Sequence, residues 1–330
     1  MMFSKVCIYG AGAIGGWVGA RVGQLPGVQL SVVARGHTLS ALQAHGLRLH
    51  SGGVSHAVPV RASAQPADLG VQDLVVIAVK APALHEVARH IARLIGPHTV
   101  VLTAMNGVPW WFLQQFGGDY ANTPLVSVDA DGSIARAIPA QHVLGGVVHA
   151  SCSLRSPGEI AHHFGNGLIV GEPCGALSER GQALQALLAQ AGFDATLSPQ
   201  IQKDVWYKLW GNMSVNPISA LTGATTDKIM DDPLVRSFIS SVMLEAKEIG
   251  ARIGLAIEQE PEDRHAVTRK LGAFKTSMLQ DVQAHRAVEL DALVGAVREL
   301  GQITGVTTPF TDALMGLARL QAQGLGLYPA

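Results

Sequence analysis

The sequence predicts an α/β fold: a parallel-sheet domain with helices on its faces, followed by an all-helical C-terminal domain. Three observations carry that expectation. Short apolar runs alternate with helix-like segments through the first half, the pattern of strands joined by crossover helices. The first such run, "VCIYGAGAIGG" from Val6 to Gly16, enters a G-x-G-x-x-G turn with Gly10, Gly12 and Gly15 at its fixed points. Beyond about Leu197 strand-like alternation disappears and only helical spacing remains. A chain of 330 residues also exceeds what one core usually organises, so two domains are expected, 1–197 and 198–330.

Taken in order, "KVCIYG" reads as the first strand. "AIGGWVGARVGQL" follows as a helix, with Ile14, Val18 and Val22 at helical spacing and Pro26-Gly27 as its stop. "VQLSVVAR" is a second strand, and "GLRLHSGGVSHAVPV" reads as two short strands about Gly52-Gly53. "DLVVIAVK" is a buried strand, "ALHEVARHIARLIG" a helix and "TVVLTAMNG" another strand. "GLIVGEP" belongs to the same domain as a late strand, whereas 107–145 carries no clear period. The helical portion comprises "IQKDVWYKLWGNMSVN", "DPLVRSFISSVMLEAKEIGARIG", "EDRHAVTRKLGAFKTSMLQDVQ", "AVELDALVGAVRELGQITG" and "PFTDALMGLARLQAQG".

Composition excludes several functions. With 48% hydrophobic and 15% charged residues the chain is globular rather than disordered. A net charge of -1 offers no electrostatic case for nucleic acid or an anionic membrane surface. Three scattered cysteines (Cys7, Cys152, Cys174) make no disulfide framework and fit a reducing compartment. None of the 13 histidines falls in H-E-x-x-H, so no metal site is expected. The N-terminus runs directly into the first strand and no long apolar run lacks charge, so the expected location is cytoplasmic. An apolar helical domain permits a homodimer without requiring one.

The turn Gly10-Ala11-Gly12-Ala13-Ile14-Gly15 lies between a strand and a helix, the context in which such a motif holds a dinucleotide on a Rossmann-type sheet. Gly10 serves the tight turn, Gly12 lets the backbone approach a pyrophosphate, and Gly15 lets helix and strand pack. Amides at the helix start then face the phosphates, aided by the helix dipole. An NAD site places an acid at the end of the second strand, yet no acidic residue precedes Asp68. That strand ends in Arg35, a guanidinium suited to the 2′-phosphate of NADP. Lys80, ending the "VVIAVK" strand, adds a second positive charge at the same edge. NADP is the expected cofactor.

In "DVWYKLWGNMSVNP", Lys208, Asn212 and Asn216 fall at i, i+4 and i+8, one stripe of a helix. Trp206, Leu209, Trp210 and Met213 supply enough apolar surface to bury that helix. Two asparagines and a following Pro217 run against helical preference, as happens at functional sites.

These pieces, with "VARG", "VKA", "MNGV", "SMLQDV" and "AVELDAL", resemble in order the ketopantoate (2-dehydropantoate) reductase family. The resemblance implies a Rossmann domain followed by a helical domain, and NADPH-dependent reduction of 2-dehydropantoate in pantothenate biosynthesis. It implies Lys208 as the catalytic general acid, and Asn212, Asn216 and Ser277 as groups holding the substrate's carboxylate and hydroxyl. Asn106 would lie at the nicotinamide end near cofactor and substrate, Glu289 would contact the nicotinamide ribose, and Ser151 would offer NADP a backbone contact. Two departures bear on the substrate. The stretch after Asn106-Gly107 is long and aromatic, with Trp110-Trp111 as core or lid packing, and Thr226 stands where the family carries a substrate-binding asparagine. Reduction of another branched 2-oxo acid is the alternative, and a non-catalytic NADP-binding redox sensor a third reading.

Overall fold

A computed structural model describes residues 3–329. Ten strands form a single mixed sheet: β1 Lys5–Tyr9, β2 Gln29–Val33, β3 Leu47–Ser51, β4 Val54–Val58, β5 Arg61–Ser63, β6 Leu74–Ile77, β7 Val100–Thr103, β8 Val143–Ser156, β9 Glu159–Gly171 and β10 Asp194–Leu197. Along the sheet the order is β4-β3-β9-β8-β7-β6-β1-β2-β5, with β10 also paired to β9. From β8 through β7, β6, β1 and β2 to β5 every neighbour is parallel, as expected for strands joined through helices. The order reverses direction outward from β1, which sits between β2 and β6 with Cys7 facing Ser31 on one side and Val75 on the other.

Burial on both faces explains why the central strands are continuous apolar runs. Val6, Cys7 and Ile8 are inaccessible to solvent, as are Val75, Val76 and Ile77. Each such aliphatic side chain contributes about 1.5–3 kcal/mol on burial. The helix Ala13–Val22 closes one face, inserting Trp17 and Val18 beside Ile8, Leu47 and Ile160. The antiparallel strands β3 and β4 turn at Gly52 and Gly53, both with positive φ, in the hairpin the glycine pair predicts.

Two expectations are corrected. The "VVIAVK" strand leaves the ladder after Ile77, because Val79 packs over the Gly10 turn, leaving Lys80 just before a short 3-10 turn, Ala81–Ala83. The stretch "EDRHAVTRKLGAFKTSMLQDVQ" is two helices, Pro261–Arg269 and Ser277–Gln283, interrupted where Gly272 takes φ +63°. By its internal contacts the chain forms two compact units. One compact unit holds residues up to Met105 with Ser133–Asp204, and the other holds Asn106–Gly132 with Val205 onward. The long helix Ile201–Thr222 starts in the first unit because Gln202 donates to the Pro173 carbonyl there at 2.6 Å.

The second unit contains no strand among the described residues. Its amphipathic helix Pro233–Arg252 is started by Asp232, whose carboxylate accepts from the amides of Leu234 and Val235 with Pro233 at the first helical position. Its apolar face buries Ile239, Val242, Met243, Ala246 and Ile249. Trp210 packs against it and donates its indole N–H to the Met243 carbonyl at 2.7 Å, so its one polar atom is satisfied. The helix Ile201–Thr222 runs through Pro217 rather than ending there.

The segment 106–132 belongs to this helical unit for visible reasons. Gly107, at φ +84°, lies against the Ala292 carbonyl, and the Val108 amide donates to that oxygen at 2.8 Å. Farther on, the amides of Val126 and Ser127 donate to the two carboxylate oxygens of Glu299 at 2.7 and 2.8 Å. Between these ties Trp110, Trp111, Phe112 and Leu113 are buried, with the Phe112 ring 5.9 Å from Trp206. The aromatic insertion is core.

Candidate active site

In the sheet unit, each glycine of the turn after β1 has its own reason. Gly10 has φ +97°, a conformation L side chains rarely adopt, and a Cβ there would meet Val79 at 2.6 Å. A Cβ on Gly15 would overlap the Gly10 carbonyl oxygen and press on Ile8, so this glycine sets the helix–strand approach. Gly12 is different: a Cβ there would meet nothing within 4 Å, so packing does not require a glycine at this position. It caps the helix Ala13–Val22, whose first turn has neither a side-chain cap nor an acid. Ala11 precedes it, and Ala13 and Ile14 present the first helical amides, a surface suited to a pyrophosphate.

Arg35 follows β2 immediately and precedes the helix Gly36–His45. Its half-exposed guanidinium pairs with Glu86. Lys80 is partly buried at the same carboxyl edge, beyond β6. Ser151 sits opposite Phe164, in the part of β8 that extends past its pairing with β7. An uncapped helix start, an open approach at Gly12 and an arginine after β2 together fit a phosphorylated dinucleotide.

The helical unit gathers the other expected residues. Lys208 projects from the helix Ile201–Thr222 and donates from Nζ to Asn106 Oδ1 at 2.9 Å. Asn106 is presented by the Gly107-Val108 tie described above, which fixes the backbone directly after it. Burial lowers the Lys208 ammonium to about 8, the Glu289 carboxylate opposes that shift, and the Arg264 guanidinium reinforces it. Glu289 itself is 7% exposed. One and two turns on from Lys208 stand Asn212, partly exposed, and Asn216, buried.

Asn216 donates from Nδ2 to Ser277 Oγ at 3.4 Å, the weaker of the two links. Ser277 opens the helix Ser277–Gln283, started by Thr276, whose hydroxyl accepts from the Leu279 amide. Thr226 holds the preceding loop: its hydroxyl donates to the Gly272 carbonyl at 2.7 Å, and its amide donates to Phe274 at 3.0 Å. At 1% exposure its side chain is spent on the backbone of the loop that precedes Ser277.

Two features escaped the sequence reading. Glu299, which anchors Val126 and Ser127, lies some 170 residues from them, and no local pattern announces such a pairing. Arg264 escaped as well, although Gly211 in the middle of the lysine helix was a usable signal. A glycine in a helix interior costs about 1 kcal/mol relative to alanine and asks what needs the space.

Comparison with known proteins bears on this arrangement. A family model described as ketopantoate reductase PanE/ApbA matches residues 6–175, and its C-terminal counterpart matches 200–322. The 2-dehydropantoate 2-reductase of Mesorhizobium japonicum is 43% identical over 324 residues, covering 98% of this chain and 99% of that protein. A crystal structure from Ralstonia solanacearum MolK2, provisionally named a ketopantoate reductase, is similar at a TM-score of 0.95 with 56% identity, over 99% of this chain and 100% of the other. The 2-dehydropantoate 2-reductase of Methylococcus capsulatus follows at a TM-score of 0.83 and 25% identity, over 97% of both chains. No helix among the described residues is long and apolar enough to cross a membrane.

Proposed function

The chain belongs to the ketopantoate reductase family, and on that premise we propose that it reduces 2-dehydropantoate to (R)-pantoate with NADPH. The observation that carries the reading is the polar row on the helix Ile201–Thr222, where a desolvated lysine is held by Asn106 and followed by two asparagines on the same side. Gly10 to Gly15, Arg35, Lys80 and Ser151 are the sheet-unit groups suited to the dinucleotide, and the family resemblance implies nicotinamide-end roles for Asn106 and Glu289. When bound, NADPH supplies the hydride that C2 of the 2-oxo acid receives.

The chain's own residues handle charge and protons. As C2 is reduced, negative charge develops on the carbonyl oxygen, and the Lys208 ammonium stabilises it and delivers the proton. The Asn106 side-chain oxygen accepts one ammonium hydrogen and so orients the donor. Asn212, Asn216 and Ser277 donate hydrogen bonds to the substrate's oxygens and are too weakly acidic to replace the lysine. Asn216→Ala is therefore expected to raise KM for 2-dehydropantoate about ten-fold with little change in NADPH affinity, measured by steady-state kinetics and cofactor titration. Loss of cofactor binding instead would place Asn216 at the nucleotide.

The lowered lysine value sets a pH dependence. A depressed pKa means the proton is lost earlier on raising pH, so activity in the direction of reduction is retained below about 8 and lost above it. Measured between about pH 6 and 10, kcat/KM should be level on the acid side and fall about ten-fold per unit on the alkaline side. An alkaline limb only near about 10, the range of an ordinary lysine, would remove Lys208 as that group.

Steady-state NADPH oxidation over a panel of 2-oxo acids tests the function itself. A clear preference for 2-dehydropantoate supports it, and none above other branched acids overturns it. Thr226 favours the second reading, another branched 2-oxo acid, because its hydroxyl is engaged with backbone where the family resemblance implies an asparagine for substrate.

A further inference from the structure

Arg264 stands on the helix Pro261–Arg269, half-buried. Its guanidinium carbon lies 5.2 Å from the centroid of the Tyr207 ring. The same group rests on Gly211, where a Cβ would come within 2.5 Å of Nε and 2.9 Å of Nη2. Tyr207 and Gly211 are one turn apart, in the row next to Lys208 and Asn212, so the guanidinium lies alongside the polar row. Only a residue without a side chain lets it come so close.

The group is held but not neutralised. Its Nε is buried without a hydrogen-bond acceptor, and no carboxylate pairs with it among the described residues. Arg180, by contrast, places its guanidinium on both oxygens of Glu172. A buried, unmatched donor on a cation is costly and is kept where something anionic meets it. The Arg264 guanidinium and the Glu289 carboxylate are both within electrostatic reach of Lys208. In a 2-oxo acid the carboxylate is bonded directly to the carbonyl carbon, so two neighbouring cations match the two functions.

We propose that Arg264 receives the carboxylate of the 2-oxo acid substrate, with Gly211 providing the space for its guanidinium beside the catalytic lysine. The proposal rests on the reductase reading. Its planar fork suits a carboxylate better than an amide or hydroxyl would, and fixes which face of C2 is presented. Asn212, Asn216 and Ser277 then serve the remaining oxygens.

The test compares the parent with Arg264→Gln and Gly211→Ala, on 2-dehydropantoate and on the uncharged 2-oxo amide of the same skeleton. Arg264→Gln should raise KM for the acid about ten- to hundred-fold and change the amide by less than about three-fold. Gly211→Ala installs the better helix former, so its melting temperature should hold while KM for the acid rises in the same sense. The alkaline limb should move upward in Arg264→Gln, because a cation beside Lys208 is gone. Equal losses on acid and amide, or an unchanged KM for the acid in both variants, would overturn the proposal. A parent inactive on every 2-oxo acid would sink the reductase reading instead. Calorimetric titration of 3-methyl-2-oxobutanoate then decides Arg264 by itself: binding that weakens in Arg264→Gln supports the assignment, and binding equal to the parent's, or absent from the parent, overturns it.

Discussion

Lys208→Ala is expected to lose about 10²–10⁴ in turnover, about 2.7–5.4 kcal/mol of barrier, while still binding NADPH. The size follows from its place in the site. No other cation stands on the row formed with Asn212 and Asn216, and its Nζ is the atom oriented by Asn106. NADPH affinity should survive because the glycine turn and Arg35 belong to other elements. Lys208→Arg should restore little: a guanidinium with a pKa above about 12 gives up its proton poorly, and its fork is bulkier than an ammonium. Single-turnover rates on 2-dehydropantoate give the answer directly. Turnover by Lys208→Ala within a few-fold of the parent, with hydride transfer rate-limiting, would remove the lysine from the mechanism.

Arg35→Ala is expected to weaken NADPH about ten- to hundred-fold and leave NADH nearly unchanged, by titration of both cofactors into both proteins. The ion pair with Glu86 sharpens this expectation. Both side chains are about half exposed, at 55% and 46%, and an exposed pair of this kind contributes about 0–1 kcal/mol. Charge-assisted bonds to a 2′-phosphate contribute about 1.5–3 kcal/mol, so the guanidinium can leave Glu86 at a net gain. Equal affinities of the parent for NADPH and NADH would sink the idea.

The parts legible in the sequence are those whose cause is local. The first strand, its glycine turn and the helix after it announce themselves because the bend needs a glycine at Gly10, the helix–strand approach needs one at Gly15, and two buried faces need apolar runs. Lys208, Asn212 and Asn216 could be aligned from helical spacing alone, and the asparagine–serine link in this unit joins residues the family resemblance had already named. What stayed hidden depends on distant partners. The strand β8 has glycines at 145 and 146 and a polar outer half, so it lacks a strand signature until β7 and β9 flank it. The assignment of 106–132 to the helical unit rests on Ala292 and Glu299. Arg264 acquires meaning only once its helix is laid against Gly211.

The affiliation of 106–132 has a further consequence for how the protein is made. Synthesis runs from the N-terminus, so Trp110, Trp111, Phe112 and Leu113 leave the ribosome before Trp206, and well before Ala292 and Glu299. At about 5–20 residues per second, the aromatic run waits some 5–20 s for Trp206. During that interval β8, β9 and β10 emerge and the sheet can pair, while the aromatic run still lacks Trp206, Ala292 and Glu299. Such a loop is a natural target for holdase chaperones and a nucleus for aggregation. Expression at reduced temperature, or with trigger-type chaperones in excess, should therefore raise soluble yield more for this chain than for one whose equivalent loop is short and polar.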